Sequence, residues 1–137
     1  MILVDTTAWI EFDRATGSAA DRHLSSLIAD TDDVAVTEPV IMEVVAGARD
    51  VTRERDLRRL MASFRLLRFD ATVDFEAATM IYRRCREAGV TPRGMVDCMI
   101  AAVAWRTGAS LLSVDADLDR VGEVIGLTVI GLTVIDL

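Results

Sequence analysis

Lysine is absent from this 137-residue chain, and all 15 basic residues are arginine. A P-loop needs its lysine to reach the bound phosphates, so a P-loop ATPase is excluded. Haloacid-dehalogenase phosphatases and response-regulator receivers also open with a strand-end aspartate, but both rely on a lysine. Histidine is nearly absent too. A Ser-His-Asp hydrolase would have to run through the single His23, which follows Asp21 in a polar segment and reads as a solvated helix residue. The two cysteines, Cys85 and Cys98, form no C-x-x-C pattern and no metal-ligand spacing. They read as reduced, buried thiols rather than a disulfide or zinc framework. Aromatic residues make up 5% of the chain, too few for base stacking as a major theme, so Trp9 and Trp105 read as core or interface. No apolar run approaches the roughly 20 residues of a membrane span. The apolar start is cut short by Asp5, so no signal peptide is expected. These absences predict a cytoplasmic protein with no membrane association.

What is present is a hydrophobic share of 52%, enough for a globular core. The length predicts one domain over 1–137. The net charge of −7 argues against wholesale electrostatic capture of nucleic acid. Positive charge is nevertheless clustered, from Arg49 to Arg68 and again at Arg83, Arg84 and Arg86. Arginine forks suit phosphate contacts, although a GC-rich genome produces the same composition.

Hydrophobic patterning alternates between strand and helix. Met1–Asp5, Val34–Val36, Leu66–Phe69 and Ala109–Val114 read as buried strands. Helices are expected from Thr6 or Thr7 to Arg14, from Asp21 to Asp30, and from Thr37 to Ala46. Further helices are expected over Arg53–Phe64, Ala71–Ala88 and Met95–Thr107. Such alternation predicts an α/β fold, a parallel sheet covered by helices on both faces. The segment Ile125-Gly-Leu-Thr-Val129 is repeated at once as Ile130-Gly-Leu-Thr-Val134. A period of five is odd, so the copies present opposite faces and are not interchangeable in a sheet. Leu127–Ile130 is expected as the last strand, with the second copy as an extension or an extra edge pairing.

The chemistry-bearing residues are carboxylates. Asp5 closes the first apolar run, and Asp115 closes the run Ala109–Val114. Glu43 lies among Val40, Ile41, Met42, Val44 and Val45, and Asp97 opens an apolar helix. Charges beside so much apolar sequence are costly unless something pairs them. Asp5 and Asp115 both fall at carboxyl ends of parallel strands, where ligands collect. Carboxylates that share a site repel one another unless a cation neutralises them, and hard oxygen donors suit Mg²⁺ or Mn²⁺. Asp117 is a possible fifth ligand. Ordinary readings stand beside these: a strand-end cap for Asp5, a solvated position for Glu43, a helix-start charge for Asp97, and a turn for Asp115, Asp117 and Asp119. The ordered set carries more weight than any member.

Four segments, in order, resemble the PIN-domain ribonucleases, in particular the VapC-type toxins of prokaryotic toxin–antitoxin pairs. They are Ile2-Leu-Val-Asp-Thr-Thr-Ala-Trp-Ile10, Thr37 to Ala48, Val96 to Ala104, and Ser113-Val-Asp-Ala-Asp-Leu118. The resemblance spans residues 1 to about 130 and implies a three-layer α/β/α sandwich. By position, the family's acids match Asp5, Glu43, Asp97, Asp115 and Asp117, and its hydroxyl residue near the metal matches Thr7. It further implies Mg²⁺- or Mn²⁺-dependent cleavage of RNA, homodimerisation, and neutralisation by a VapB-type antitoxin in a heterotetramer or larger assembly. Only the second Ile-Gly-Leu-Thr-Val copy departs from the family pattern. The rival readings are a non-catalytic scaffold of the same fold that binds a protein partner, and a metal phosphatase acting on small esters.

Overall fold

The sheet is built from short apolar strands. In the computed structural model, which describes residues 1–30 and 33–131, β1 is Ile2–Val4, β2 Val34–Val36, β3 Arg65–Leu66, β4 Ser110–Ser113 and β5 Val129–Gly131. They pair in the order β3-β2-β1-β4-β5, and every pairing is parallel. Leu3, Val4, Ala35, Val36, Leu111 and Leu112 are buried, as strands covered on both faces require. From β1 the chain steps outward to β2 and β3. It then crosses back to place β4 on the other side of β1. The order therefore reverses between β1 and β4, and this switch point is where an open parallel sheet leaves a crevice beyond its strand ends.

Seven helices connect the strands among the described residues: α1 Thr6–Asp13, α2 Ala19–Ala29, α3 Glu38–Ala46, α4 Val51–Ala62, α5 Asp74–Glu87, α6 Met95–Thr107 and α7 Ala116–Ile125. Right-handed crossovers in opposite directions put α1–α4 and α5–α7 on opposite faces of the sheet, giving three layers. Within the first group α1 packs on α2 and α3, and α3 on α4; within the second, α5, α6 and α7 pack on one another. The main core gathers Leu3, Val4, Trp9, Val36, Val40, Ile100, Leu111 and Leu112. A smaller one between α5, α6 and α7 holds Ala78, Ile81, Cys85, Cys98 and Val121. Both cysteines are buried and free, as expected. Where α3 meets α6, the two helical layers touch.

Several boundaries shift for local reasons. Helix α4 starts at Val51, because Asp50 caps it by accepting from the Arg53 N–H at 2.8 Å. Strand β3 is shorter than its apolar run. Leu67 N–H still donates to Val36 O at 2.8 Å, but Phe69 N–H goes to Glu38 Oε1 at 2.7 Å, drawing the chain off the sheet. Helix α5 starts at Asp74, since Asp70 folds Ala71–Val73 into a turn by accepting from Thr72. Helix α7 stands where the sequence suggested only a turn. Strand β5 straddles the junction of the two repeat copies instead of ending at Ile130. Its pairing begins at Val129, because Leu127 N–H is held by Gly122 O at 2.9 Å in the cap of α7. Residues 132–134 of the second copy lie outside the described residues.

Candidate active site

Asp5 follows β1 and caps α1. Its Oδ1 accepts from Ala8 N–H at 3.0 Å and from Thr7 Oγ1 at 2.7 Å, and its Oδ2 accepts from Ser113 Oγ at 2.6 Å. The cap role foreseen as an ordinary reading is thus real, yet it does not account for the residue. Asp5 is 2% exposed, and burial pushes its carboxyl above the usual carboxylate range. The hydrogen bonds from Ser113, Ala8 and Thr7 oppose that rise, and the charge of Asp115 adds to it. A helix cap needs no such burial.

Ser113 ends β4 and joins the two strand ends. While its hydroxyl donates to Asp5, it accepts from Asp115 N–H at 2.9 Å. Thr7 Oγ1 likewise donates to Asp5 and accepts from Val114 N–H at 3.2 Å. Asp115 caps α7 by accepting from Asp117 N–H at 2.9 Å. The loop after β4 is thereby held against the start of α1 by two hydroxyls. Neither Ser113 nor Thr6 was singled out from sequence. Thr6 donates to Glu43 Oε1 at 2.6 Å, fixing the α3 acid to the first turn of α1. These links depend on β4 lying beside β1, and strand order is not written in local sequence.

Asp97 completes the group from the first turn of α6. Its carboxyl is raised from 3.8 to about 6. Burial is the largest cause, followed by the charges of Asp115, Asp5 and Glu43; Arg93 pulls the other way. Asp97 therefore feels acids from three other segments across the crevice. Asp117 stands to one side, with Oδ1 accepting from Arg120 Nη1 at 2.9 Å. Asp119 lies farther along the chain, on α7, and is half-buried.

Among the described residues no three Asp, Glu, His or Cys side chains form a ready-made metal cage. The acids instead interact through space, Asp97 with Asp115, Asp5 and Glu43, and Asp5 with Asp115. Their donor set fits a hard divalent cation: it is all oxygen, it is negative, and burial holds Asp5 and Asp97 above the usual carboxylate range. Asp5, Glu43, Asp97 and Asp115 are the candidates to hold such an ion. Asp74, the other buried acid, is accounted for by structure. It accepts from Arg106 Nε at 2.9 Å and Nη2 at 2.8 Å, and from Asp70 N–H at 2.8 Å.

Comparisons with known proteins identify the fold and the family. The PIN domain family matches residues 2–124. Ribonuclease VapC11 of Mycobacterium tuberculosis and VapC ribonuclease Mb1587 of Mycobacterium bovis are each 42% identical over 128 residues, covering 93% of this chain and 96% of theirs. Among solved structures, VapBC2 from Rickettsia felis, bound to a promoter DNA fragment, superposes with a TM-score of 0.73 at 16% identity, covering 96% of this chain and 98% of that one. VapC20 of Mycobacterium tuberculosis, described as a sarcin-ricin loop cleaving toxin, superposes with a TM-score of 0.67 at 22% identity, covering 89% and 95%. At those identities the structures speak for the fold. With a family match across most of its length and close relatives over nearly all of it, this chain belongs to the PIN domain family and, within it, to the VapC group.

Proposed function

We propose that this protein is a metal-dependent endoribonuclease, the toxin of a type II toxin–antitoxin pair, that hydrolyses RNA phosphodiester bonds. The observation that carries this reading is that Asp97 feels the charges of Asp115, Asp5 and Glu43 beside the β1/β4 switch point, in a chain related to named ribonucleases. Asp5, Asp97 and Asp115 would hold Mg²⁺ or Mn²⁺, with Glu43 completing the set and Asp117 supporting a second, weaker ion. A divalent cation there supplies an activated water and offsets charge developing on the phosphodiester. The chain's own part is placement. Thr7 and Ser113 orient the Asp5 carboxylate, Thr6 orients Glu43, and the start of α6 presents Asp97. Placing these groups in advance avoids reorganisation during the reaction.

The same reading makes 1–137 a single PIN-like domain acting in the cytoplasm, with a VapB-type antitoxin as partner. Among the described residues no helix is long and apolar enough to cross a membrane. Exposed apolar residues on α5 and α6, among them Phe75, Met80 and Trp105, support a homodimer, with a heterotetramer or larger assembly once antitoxin binds. The test is cleavage of cellular RNA by purified protein in Mn²⁺. Cleavage that stops in excess EDTA and in Asp97→Asn supports the reading. Full activity under either condition removes it.

A further inference from the structure

A site made of acids repels the polyanion it is meant to cut, and a chain of net charge −7 makes the repulsion worse. Local positive charge must compensate. Beside the acids lies a cavity of about 430 Å³ whose wall includes Thr7, Asp115 and Asp117. The wall also holds Glu11 and three arginines: Arg14 at the end of α1, Arg93 in the loop before α6, and Arg120 on α7. They reach the cavity from three unrelated segments. Arg14 and Arg93 form no ion pair or side-chain hydrogen bond among the described residues, unlike Arg53, Arg65 and Arg106. Arg120 is held at the rim by Asp117. The charge of Arg93 also reaches Asp97.

Resting on the ribonuclease reading, we infer that Arg14, Arg93 and Arg120 form a phosphate-binding rim that holds a single RNA strand across the carboxylates. Guanidinium forks present bidentate donors to phosphate oxygens, and those of Arg14 and Arg93 are unpaired among the described residues. Spread around one cavity, they would engage the phosphates flanking the bond to be cut, leaving the acids to the cation. The three are positioning residues, since the reacting atoms lie with the acids.

The rim is tested by binding of a short fluorescein-labelled single-stranded oligoribonucleotide, measured over a range of salt in the Asp97→Asn background to prevent cleavage. Arg14→Ala, Arg93→Ala and Arg120→Ala should each weaken binding and lower the salt slope by about 0.7, one phosphate contact on a single strand. Lysine at the same positions should restore the slope but only part of the affinity. Arg93→Ala with the wild-type acids should bind Mn²⁺ at least as tightly as the parent, because a cation near Asp97 has gone. That opposite sign separates a lost phosphate contact from a damaged fold. If all three variants match the parent in affinity and slope while the wild-type protein still cleaves RNA, the rim is wrong and the ribonuclease reading stands. If the wild-type protein neither binds nor cleaves RNA, both fall.

Discussion

At the scale of single residues, Asp97 is the most informative. Its carboxyl ordinarily titrates near 3.8 and is pushed to about 6, first by burial and then by Asp115, Asp5 and Glu43. Between those values the folded protein holds a proton that the unfolded chain has released, so stability of the metal-free protein falls as pH rises through that window. In EDTA, thermal unfolding should therefore give a higher Tm at about pH 5 than at about pH 7.5. Asp97→Asn should flatten that dependence and stabilise the metal-free fold at neutral pH by about 1–2 kcal/mol, allowing for the water that reaches the group. The same variant should lose RNA cleavage by at least ~100-fold. A substitution that stabilises the fold while removing activity marks a residue kept for chemistry. Asp74 is the contrast. Burial pushes its carboxyl up, but the Arg106 hydrogen bonds and charge outweigh that and hold it below the usual range. Arg106→Ala should cost about 2–4 kcal/mol in denaturant unfolding, because Asp74 is left buried without its partner. That pair's contribution is present above the ordinary carboxylate value and is lost as pH falls below it.

At the scale of elements, α7 and β5 show what packing adds to pattern. A Cβ built on Gly122 would meet Val129 Cγ2 at 2.5 Å and Leu127 O at 2.8 Å. Helix and strand approach through the missing side chain, so Gly122→Ala should destabilise by about 1–3 kcal/mol in chemical denaturation. The mean slope of the unfolding curve should stay as in the parent. The helix carrying this glycine was not legible from Asp115-Ala-Asp117, which reads equally as a turn. The spacing of Leu118, Val121 and Ile125 beyond it is the signal that could have found the helix, with Asp115 as its cap. Apolar runs with flanking caps, such as Met95–Thr107 before Gly108, were legible almost to the residue. The acids were legible as positions because each sat next to a core segment. Their hydroxyl supports were not, since Ser113 and Thr6 acquire meaning only when β4 and α3 come to lie beside the start of α1. The repeat obscured β5 in a similar way. Identical copies give one pattern two possible registers, and contact with Gly122 selects the one beginning at Val129.

At the scale of the whole molecule, function depends on charge arranged unevenly. The chain is acidic overall, yet it lines the cavity next to its acids with Arg14, Arg93 and Arg120. Apolar surface is uneven too: Trp105, 61% exposed, and Phe75, 54% exposed, lie on α6 and α5. Light scattering should return the mass of a dimer, and Trp105→Arg should shift it toward the monomer; a wild-type monomer at every concentration would count against homodimerisation. All of these expectations meet in the convergence of acids at the β1/β4 switch point. Calorimetric titration of Mn²⁺ into the purified protein and into Asp5→Asn, Glu43→Gln, Asp97→Asn and Asp115→Asn addresses it most directly. The account predicts one dominant binding event that every substitution weakens by at least ~10-fold. Mn²⁺ binding that is absent from the wild-type protein, or unchanged in folded variants of these acids, would contradict it.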